Sequence, residues 1–286
     1  MSNEDTRQIE EITKSFERVL NSHGYGFQYS VLKQVETLAL GQKTDWFPVV
    51  PEFPVEVQGN GTRIDFILHH RTSNLYMLAE CKRVNPALSN WCFAKASFVS
   101  RGDDKQTIFV ESVNLSEIPG SNNFSSVFNF APSKNIYHIG VEVKNKTDGD
   151  PNGSGHGEIE QAATQILRGL NGMVDFFSSN SRLFEQAKKI SLFPVIFTTA
   201  QLWVSDIDLG SADLANGNIK MSTANLNKVP WLYYQYNQSP GLKHTLESGV
   251  EAHDLQKSLY QEYVRTIAIV SASGISDFLS QRIFGY

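Results

Sequence analysis

The chain has 286 residues, of which 41% are hydrophobic and 19% charged, and its formal net charge is −5. This size and composition are typical of globular proteins, and no linker or repeat divides the chain, so we expect one domain over residues 1–286. The polar N-terminus does not resemble a secretory signal, and no apolar run reaches the roughly 20 residues of a membrane helix. Cys81 and Cys92 have neither metal-ligand nor disulfide-framework spacing, so we expect a reduced, cytoplasmic protein with no membrane partner.

The first predicted elements are two helices and a strand. In residues 5–22 apolar side chains recur at helical spacing, which predicts an amphipathic helix, and residues 28–40 are predicted as a second helix. A proline-rich approach then leads to a predicted edge strand at residues 52–58. Two short apolar runs within residues 61–84, separated by a polar turn at Thr72 and Ser73, predict an antiparallel hairpin.

Alternating helices and strands are predicted after the hairpin. In chain order they are a short helix at 87–99, strands at 106–113 and 135–144, a glycine-rich loop at 147–157, a helix at 158–178, a buried strand at 190–204, a late strand at 229–237, and a final helix at 254–282 with a break near Gly274. This order predicts a mixed α/β (α+β) fold with a central mixed sheet flanked by helices. We expect its core at about 5–205, an insertion at about 100–135 and a C-terminal extension at about 206–286.

The hairpin is predicted to gather three charged side chains on one face. Asp65 and Glu80 are equally far from the turn, so they lie opposite each other, and Lys82 shares the face of Glu80 because side chains alternate along a strand. The other face is predicted to be apolar or nearly so, with Ile64, Phe66, Leu68, Met77, Ala79 and Cys81. Two carboxylates beside an ammonium suit a divalent cation and an activated water.

This charged patch has the composition of a phosphodiester-hydrolysing site. A phosphodiester repels hydroxide, and bound Mg²⁺ neutralises that charge and lowers the pKa of water. Asp65, Glu80 and the backbone carbonyl of Cys81 are the predicted metal ligands, and Lys82 is predicted to position the water or stabilise developing charge. Residues 61–110 carry a net charge of +3 against −8 elsewhere, which favours a polyanionic substrate unless the clustering is due to chance.

Asp65 followed by Glu80-Cys81-Lys82 resembles the Asp…Glu-x-Lys core of the restriction-endonuclease-like, PD-(D/E)xK superfamily. The predicted order of helix, strand, Asp-bearing strand, Glu-x-Lys strand, helix and strand is also similar, over residues 5–205. Ile64 stands where the family motif has proline. The resemblance implies a restriction-endonuclease-like core and an Mg²⁺-dependent endonuclease, with Mn²⁺ as a substitute cofactor and DNA rather than RNA as the substrate.

The resemblance also implies accessory site residues. Many members carry a glutamate on a helix before the core, and Glu17 matches it best, although a solvated helix carboxylate explains Glu17 as well. Many members carry a glutamine on the helix after the core, and Gln161 or Gln165 matches this position, with surface glutamines as the alternative. The gap of about seventy residues between Lys82 and this helix departs from the pattern and implies a sizeable insertion.

That gap contains a second Glu-x-Lys. Glu142 and Lys144 lie on a predicted strand directly before the loop and the glutamine helix, and an insertion could bring them beside Asp65 in place of Glu80 and Lys82. The alternative for Glu142 and Lys144 is an edge strand with solvated charges. The sequence favours Glu80 and Lys82, because only they can reach Asp65 through a simple hairpin.

The predicted function is therefore metal-dependent hydrolysis of nucleic acid. Family analogy extends this to a role in defence or DNA repair, with the chain acting as a homo-oligomer or within a protein complex. An inert nuclease-like module that serves binding or assembly is the main alternative, since the acidic pI of about 5.8 favours protein partners. An unrelated α/β protein with a cross-strand ion-pair network is a third.

Overall fold

The computed structural model describes residues 3–86, 89–96, 107–115, 124–143, 157–180, 187–207, 209–219, 225–237 and 263–281. Within these ranges the helices are α1 (Asn3–Ser22), α2 (Tyr25–Leu40), α3 (Gly157–Ser179) and α4 (Ile275–Leu279). The strands are β1 (Trp46–Val57), β2 (Asn60–His70), β3 (Leu75–Lys82), β4 (Asn90–Ala94), β5 (Thr107–Asn114), β6 (Phe124–Pro132), β7 (Ile136–Tyr137), β8 (Ile139–Val143), β9 (Lys189–Thr198), β10 (Gln201–Ser205), β11 (Leu226–Val229), β12 (Trp231–Asn237) and β13 (Val264–Ser271).

A nine-stranded mixed sheet forms the centre of the described structure. Its order is β1-β2-β3-β9-β13-β12-β7, and the β5–β6 pair extends it beside the first half of β9. Neighbours β1, β2 and β3 are antiparallel, whereas β3, β9 and β13 run parallel. All eight residues of β13 are buried and only one residue of β9 is exposed, as expected for central strands covered on both faces.

The two faces of this sheet are covered by different elements. Helices α2 and α4 pack on one face, through apolar residues such as Val31, Val35 and Phe278. Helix α3 packs on the other face through residues such as Ile166 and Leu170. A four-stranded sheet of order β11-β10-β4-β8 lies on the α3 side. No helix in the described ranges is long and apolar enough to span a membrane.

Two glycines bring α3 unusually close to the strands beneath it. A Cβ at Gly172 would lie 2.7 Å from the Cβ of Val55 in β1, and a Cβ at Gly169 would lie 2.9 Å from Cγ1 of Ile64 in β2. Contacts below 3.0 Å are too short for carbon atoms, so these positions require glycine unless the strands shift. The close approach fixes α3 over β1–β3 and thereby sets the position of its first turn.

The predicted mixed α/β class, with a central mixed sheet flanked by helices, is confirmed. Four element predictions are wrong. The single strands predicted at 135–144 and 190–204 are each divided between the two sheets, the first into β7 and β8 and the second into β9 and β10. Residues 90–94 form a strand rather than part of a helix, because buried Trp91 and Phe93 alternate with half-buried neighbours and β4 pairs with both β10 and β8. Residues 264–271 form β13 rather than a helix, because this run is rich in β-branched residues and is buried at every position.

The predicted division into core, insertion and C-terminal extension stays a prediction. Five strands, β4 to β8, lie between β3 and α3, where the sequence predicted an insertion only at about 100–135. The C-terminal extension contributes β12 and β13 to the main sheet, so it is an integral part of that sheet. Residues 144–156, with most of the predicted glycine-rich loop, lie outside the described residues.

Candidate active site

The β2–β3 hairpin has the predicted register. Phe66 pairs with Ala79, and the next residues outward from the turn are Asp65 and Glu80. The backbone N–H of Cys81 donates to Oδ2 of Asp65 at 2.6 Å, which fixes the carboxylate against β3. Glu80 is 5% exposed and Asp65 is half-buried. The structure therefore brings the two predicted carboxylates together at the end of the hairpin remote from its turn.

The apolar face of the hairpin is as predicted except at Ile64. Phe66, Leu68, Met77 and Ala79 are buried on the α2 side, and half-buried Cys81 packs against the same cluster. Ile64 instead packs on the α3 side. Residues two apart on a strand normally share a face, but Ile64 and Phe66 do not. The irregularity lies opposite Glu52 of β1, which has a left-handed φ of 51° and stands between Pro51, the partner of Phe66, and Phe53, the partner of Ile64.

Burial makes it costly to ionise both carboxylates. Desolvation raises the pKa of Asp65 to about 6 from its ordinary 3.8, against the opposing effect of the Cys81 N–H. The pKa of Glu80 is raised well above its usual value, first by desolvation and then by the negative charge of Asp65, while Lys82 lowers it. Repulsion between two buried carboxylates raises the free energy of the ionised site, and a bound cation would lower it.

Lys82 lies between the carboxylates and helix α3. Its Nζ donates to Oε1 of Gln161 at 2.8 Å, and the lysine side chain is half-buried. Glu158, in the same first turn of α3, is close enough for Lys82 to lower its pKa, although burial is stronger and raises that pKa overall. Of the two predicted glutamines, Gln161 rather than Gln165 contacts Lys82.

The structure adds Glu52 and Gln28 to the site. Gln28 of α2 is 4% exposed, and its Nε2 donates to Oε1 of Glu52 at 2.5 Å and to the carbonyl oxygen of Asp65 at 3.0 Å. The charge of Glu52 contributes to the raised pKa values of both Asp65 and Glu80. Glu52 is therefore a third carboxylate beside the pair, and Gln28 holds it there.

The sequence contains a partial signal for Glu52. Gln58 and Gly59 have left-handed φ angles of 51° and 79°, and they connect the pair Val57–Asn60. Glycine readily adopts a left-handed φ, so Gly59 is compatible with a tight turn, and a turn centred on Gln58 and Gly59 places Glu52 opposite Asp65. The Asn60-Gly61 pair that follows is the commoner hairpin-turn pattern, so the sequence alone does not select this register. The prolines of the approach to the hairpin obscure this register, since they predict only an edge strand. Gln28 has no comparable signal, because its contacts depend on how α2 packs on the sheet.

Glu142 has a structural role in the described fold. Strand β8 belongs to the four-stranded sheet, where Glu142 pairs with Trp91 of β4, so it does not lie beside β2. Its buried carboxylate accepts the backbone N–H groups of Glu158 and Ile159, the latter at 2.8 Å. A carboxylate at this position caps the positive end of α3. The prediction of a solvated Glu142 is wrong, because this side chain is 1% exposed, and the described fold does not bring Glu142 beside Asp65. A catalytic role for the second Glu-x-Lys stays a prediction, since Lys144 lies outside the described residues.

Glu17 is not brought to the site. Helix α1 is exposed along residues 5–22, and the charged groups that act on Asp65 and Glu80 are Glu52 and Lys82. The acid that lies beside Asp65 is Glu52 of strand β1, where the sequence predicted a glutamate from a helix. The helix that packs beside Asp65 is α2 rather than α1. Its buried residue nearest the carboxylates is the uncharged Gln28.

The donor set fits a hard divalent cation with few protein ligands. Among the described residues no group of three or more His, Cys, Asp or Glu side chains is arranged to enclose a metal ion. Mg²⁺ usually takes only one or two carboxylates and completes its shell with water and substrate oxygens, which Asp65 and Glu80 can satisfy. Metal ligation by the carbonyl of Cys81 stays a prediction. Lys82 acts on the carboxylates of Asp65, Glu80 and Glu158, so a negatively charged phosphate approaches this patch more easily when a cation is bound.

Four of the basic residues predicted to favour a polyanionic substrate each contact a different neighbour in the described part of the chain. Arg63 lies 3.8 Å from Glu52, Arg71 lies 4.0 Å from Asp45, and Lys95 lies 2.9 Å from Asp206. Arg83 donates to the backbone carbonyl of Asn21. Each of these cations is thus engaged by a separate neighbour, and Arg101 and Lys105 lie outside the described residues.

Comparisons of the chain with protein-family models, with curated proteins and with solved structures found no match.

Proposed function

We propose that this chain is an Mg²⁺-dependent nuclease that hydrolyses phosphodiester bonds, with DNA as its substrate. The observation that carries the proposal is the convergence of Asp65, Glu80, Lys82 and Gln161 from three separate elements on one patch. The hairpin alone explains the first three. Gln161 is 79 residues beyond Lys82, and its contact with Nζ joins the two predicted halves of the site.

The arrangement of the elements supports the resemblance to restriction-endonuclease-like proteins. Helix α2, strands β1, β2 and β3, helix α3 and strand β9 follow one another in the expected order once β4 to β8 are set aside. Strands β1, β2 and β3 are antiparallel and β9 lies parallel to β3, so the Glu-x-Lys strand is central. A core with two large additions would account for the long gap before the glutamine helix.

Each residue has a role that follows from its chemistry. Asp65 and Glu80 would hold Mg²⁺, which when bound neutralises phosphate charge and lowers the pKa of a water. Lys82 donates hydrogen bonds and carries a charge suited to the attacking water or the developing phosphorane charge. Gln161 accepts a hydrogen bond from the Lys82 ammonium and so restricts the direction in which that ammonium points. Gln28 and Glu52 keep Asp65 in register from the other side.

The proposal is tested by a cleavage assay on single- and double-stranded DNA and on RNA, with Mg²⁺ or Mn²⁺. We expect Lys82→Ala to lower the cleavage rate at least about 100-fold, because it removes a positioned charge from the transition state. Lys33→Ala, an exposed lysine on α2, is the matched control and should leave the rate unchanged.

Two results would count against the assignment. Cleavage that survives Lys82→Ala but disappears in Lys144→Ala would move the catalytic lysine to the second Glu-x-Lys. A folded protein that cuts no nucleic acid with either metal would support the inert binding or assembly module instead.

A further inference from the structure

Helix α1 carries an apolar stripe that the described fold does not cover. Ile9, Ile12, Phe16 and Val19 are 50%, 61%, 62% and 50% exposed, and every residue from 5 to 22 is exposed. A 20-residue helix of ordinary composition is marginal in water on its own, so its stability depends on packing of its apolar side. The stripe therefore requires another surface.

The spacing of the stripe is that of a coiled-coil seam. Its four residues are separated by three, four and three positions, which is the a and d pattern of a heptad repeat. The flanking e and g positions, which usually select a partner through charge, carry only uncharged residues: Thr6, Gln8, Thr13, Ser15, Leu20 and Ser22. Two copies of this seam can therefore approach each other without like charges meeting at its edges.

We propose that α1 pairs with α1 of a second copy of this chain in antiparallel orientation. Centring the pair on Lys14 places Ile12 against Phe16 of the second helix and Ile9 against Val19, so a smaller side chain faces a larger one at each level of the seam. Residues 5–11 hold three carboxylates and one cation, whereas residues 12–22 hold two cations and one carboxylate. An antiparallel pair sets the acidic half beside the basic half; these charges lie outside the e and g positions, so they attract at longer range, and the opposed helix dipoles also favour this orientation.

The attachment of α1 to the rest of the chain suits this role. Asn21, at the end of the helix, accepts a hydrogen bond from Arg83, which directly follows Lys82. Gly24, with a left-handed φ of 75°, then joins α1 to α2. The stripe at residues 9–19 is thus held next to the folded body at one end and stays exposed along its length. Dimerisation would join two copies of the candidate nuclease site in one particle, and it does not depend on their activity.

The test is sedimentation equilibrium of the full chain over a concentration series. The seam is short, so we expect a monomer–dimer equilibrium with a dissociation constant on the order of 10 μM. Phe16→Glu should weaken it at least about 100-fold, because the dimer buries this position twice. Lys14→Gln, which changes the charge equally but at a heptad position away from the seam, should leave it unchanged. Both changes fall on exposed side chains, and circular dichroism will establish that each variant folds.

Orientation is tested separately by disulfide formation. An equimolar mixture of Ile12→Cys and Phe16→Cys should form a mixed disulfide faster than either variant alone, with the wild-type chain as the control for Cys81 and Cys92. The proposal is overturned if the chain is a monomer at every concentration, or if the Phe16→Glu variant associates as strongly as the wild type. It is also overturned if disulfides form preferentially between two copies of Ile12→Cys or between two copies of Phe16→Cys. A nuclease-inactive protein that still dimerises would leave it standing, so its failure is distinguishable from that of the proposed function.

Discussion

Asp65→Asn should make the metal-free protein more stable near neutral pH. Desolvation and the negative charge of Glu52 raise the pKa of Asp65 from 3.8 to about 6, so the folded state binds this proton more tightly than the unfolded state does. Ionised Asp65 is consequently a destabilising group, and the amide removes its charge. The side-chain oxygen of the new asparagine can still accept the Cys81 N–H that now reaches Oδ2, so the local geometry is retained.

The magnitude follows from the pKa difference. Two pK units correspond to about 3 kcal/mol of unfolding free energy if the group is fully screened from water. Asp65 is only half-buried, so solvent reduces the effect and we expect about 1 to 2 kcal/mol. The penalty is absent below about pH 4, where Asp65 is protonated in both states, grows between pH 4 and 6, and is constant above pH 6. The stabilisation by Asp65→Asn should follow the same course.

Urea denaturation with a chelator, at several pH values between 4 and 8, measures this difference. Glu56→Gln, which removes an exposed carboxylate from neighbouring strand β1, is the control and should change stability by less than about 0.5 kcal/mol. Mg²⁺ at a hundred times the dissociation constant should reverse the order, because ligand binding to the folded state then adds about 2.7 kcal/mol to the wild type. A variant less stable than wild type at pH 8 without metal, or a difference independent of pH, would refute this reasoning.

Three further substitutions test the packing and hydrogen bonds of the site. Gly172→Ala should destabilise the fold by about 1 to 3 kcal/mol in chemical denaturation because its Cβ meets Val55, whereas Gly26→Ala, with open space around it, should be neutral or stabilising. Gln161→Ala should slow DNA cleavage about 10-fold without lowering the melting temperature, and equal slowing by Gln165→Ala would argue against the Lys82 contact. Gln28→Ala should cost about 1 to 3 kcal/mol of unfolding free energy by removing the hydrogen bonds from its buried side chain to Glu52 and to the carbonyl oxygen of Asp65, and unchanged stability would refute that.

The centre of the site was predictable because it is local in sequence. Asp65, Glu80 and Lys82 belong to one hairpin, and the period of two together with the position of the turn determines which residues face each other. The helix that carries Gln161 was also predictable from its long apolar stripe, which α3 buries against the sheet. Only the choice between Gln161 and Gln165 needed the structure, because both lie on one side of the helix.

Other features depend on contacts between distant segments. Residues 264–271 join the main sheet because β9 and β12 flank them, and their continuous apolar run is compatible with a buried helix or a buried strand. Glu142 could not be recognised as a helix cap from sequence, since its partners are the backbone N–H groups of α3 across a long insertion. Gln28 and Glu52 meet Asp65 only when α2 and β1 are both in place.

The rate at which the purified chain cuts duplex DNA in Mg²⁺, before and after the exchange Glu80→Gln, tests the central claim most directly. Glu80 is the most deeply buried acid of the patch, and the amide keeps its size while removing the charge that would hold the cation. We predict metal-dependent cleavage by the wild type and a loss of at least about 100-fold in a variant that folds equally well. Equal cleavage by both proteins, or none by a folded wild type, would contradict the assignment of Asp65, Glu80 and Lys82 as a nuclease site.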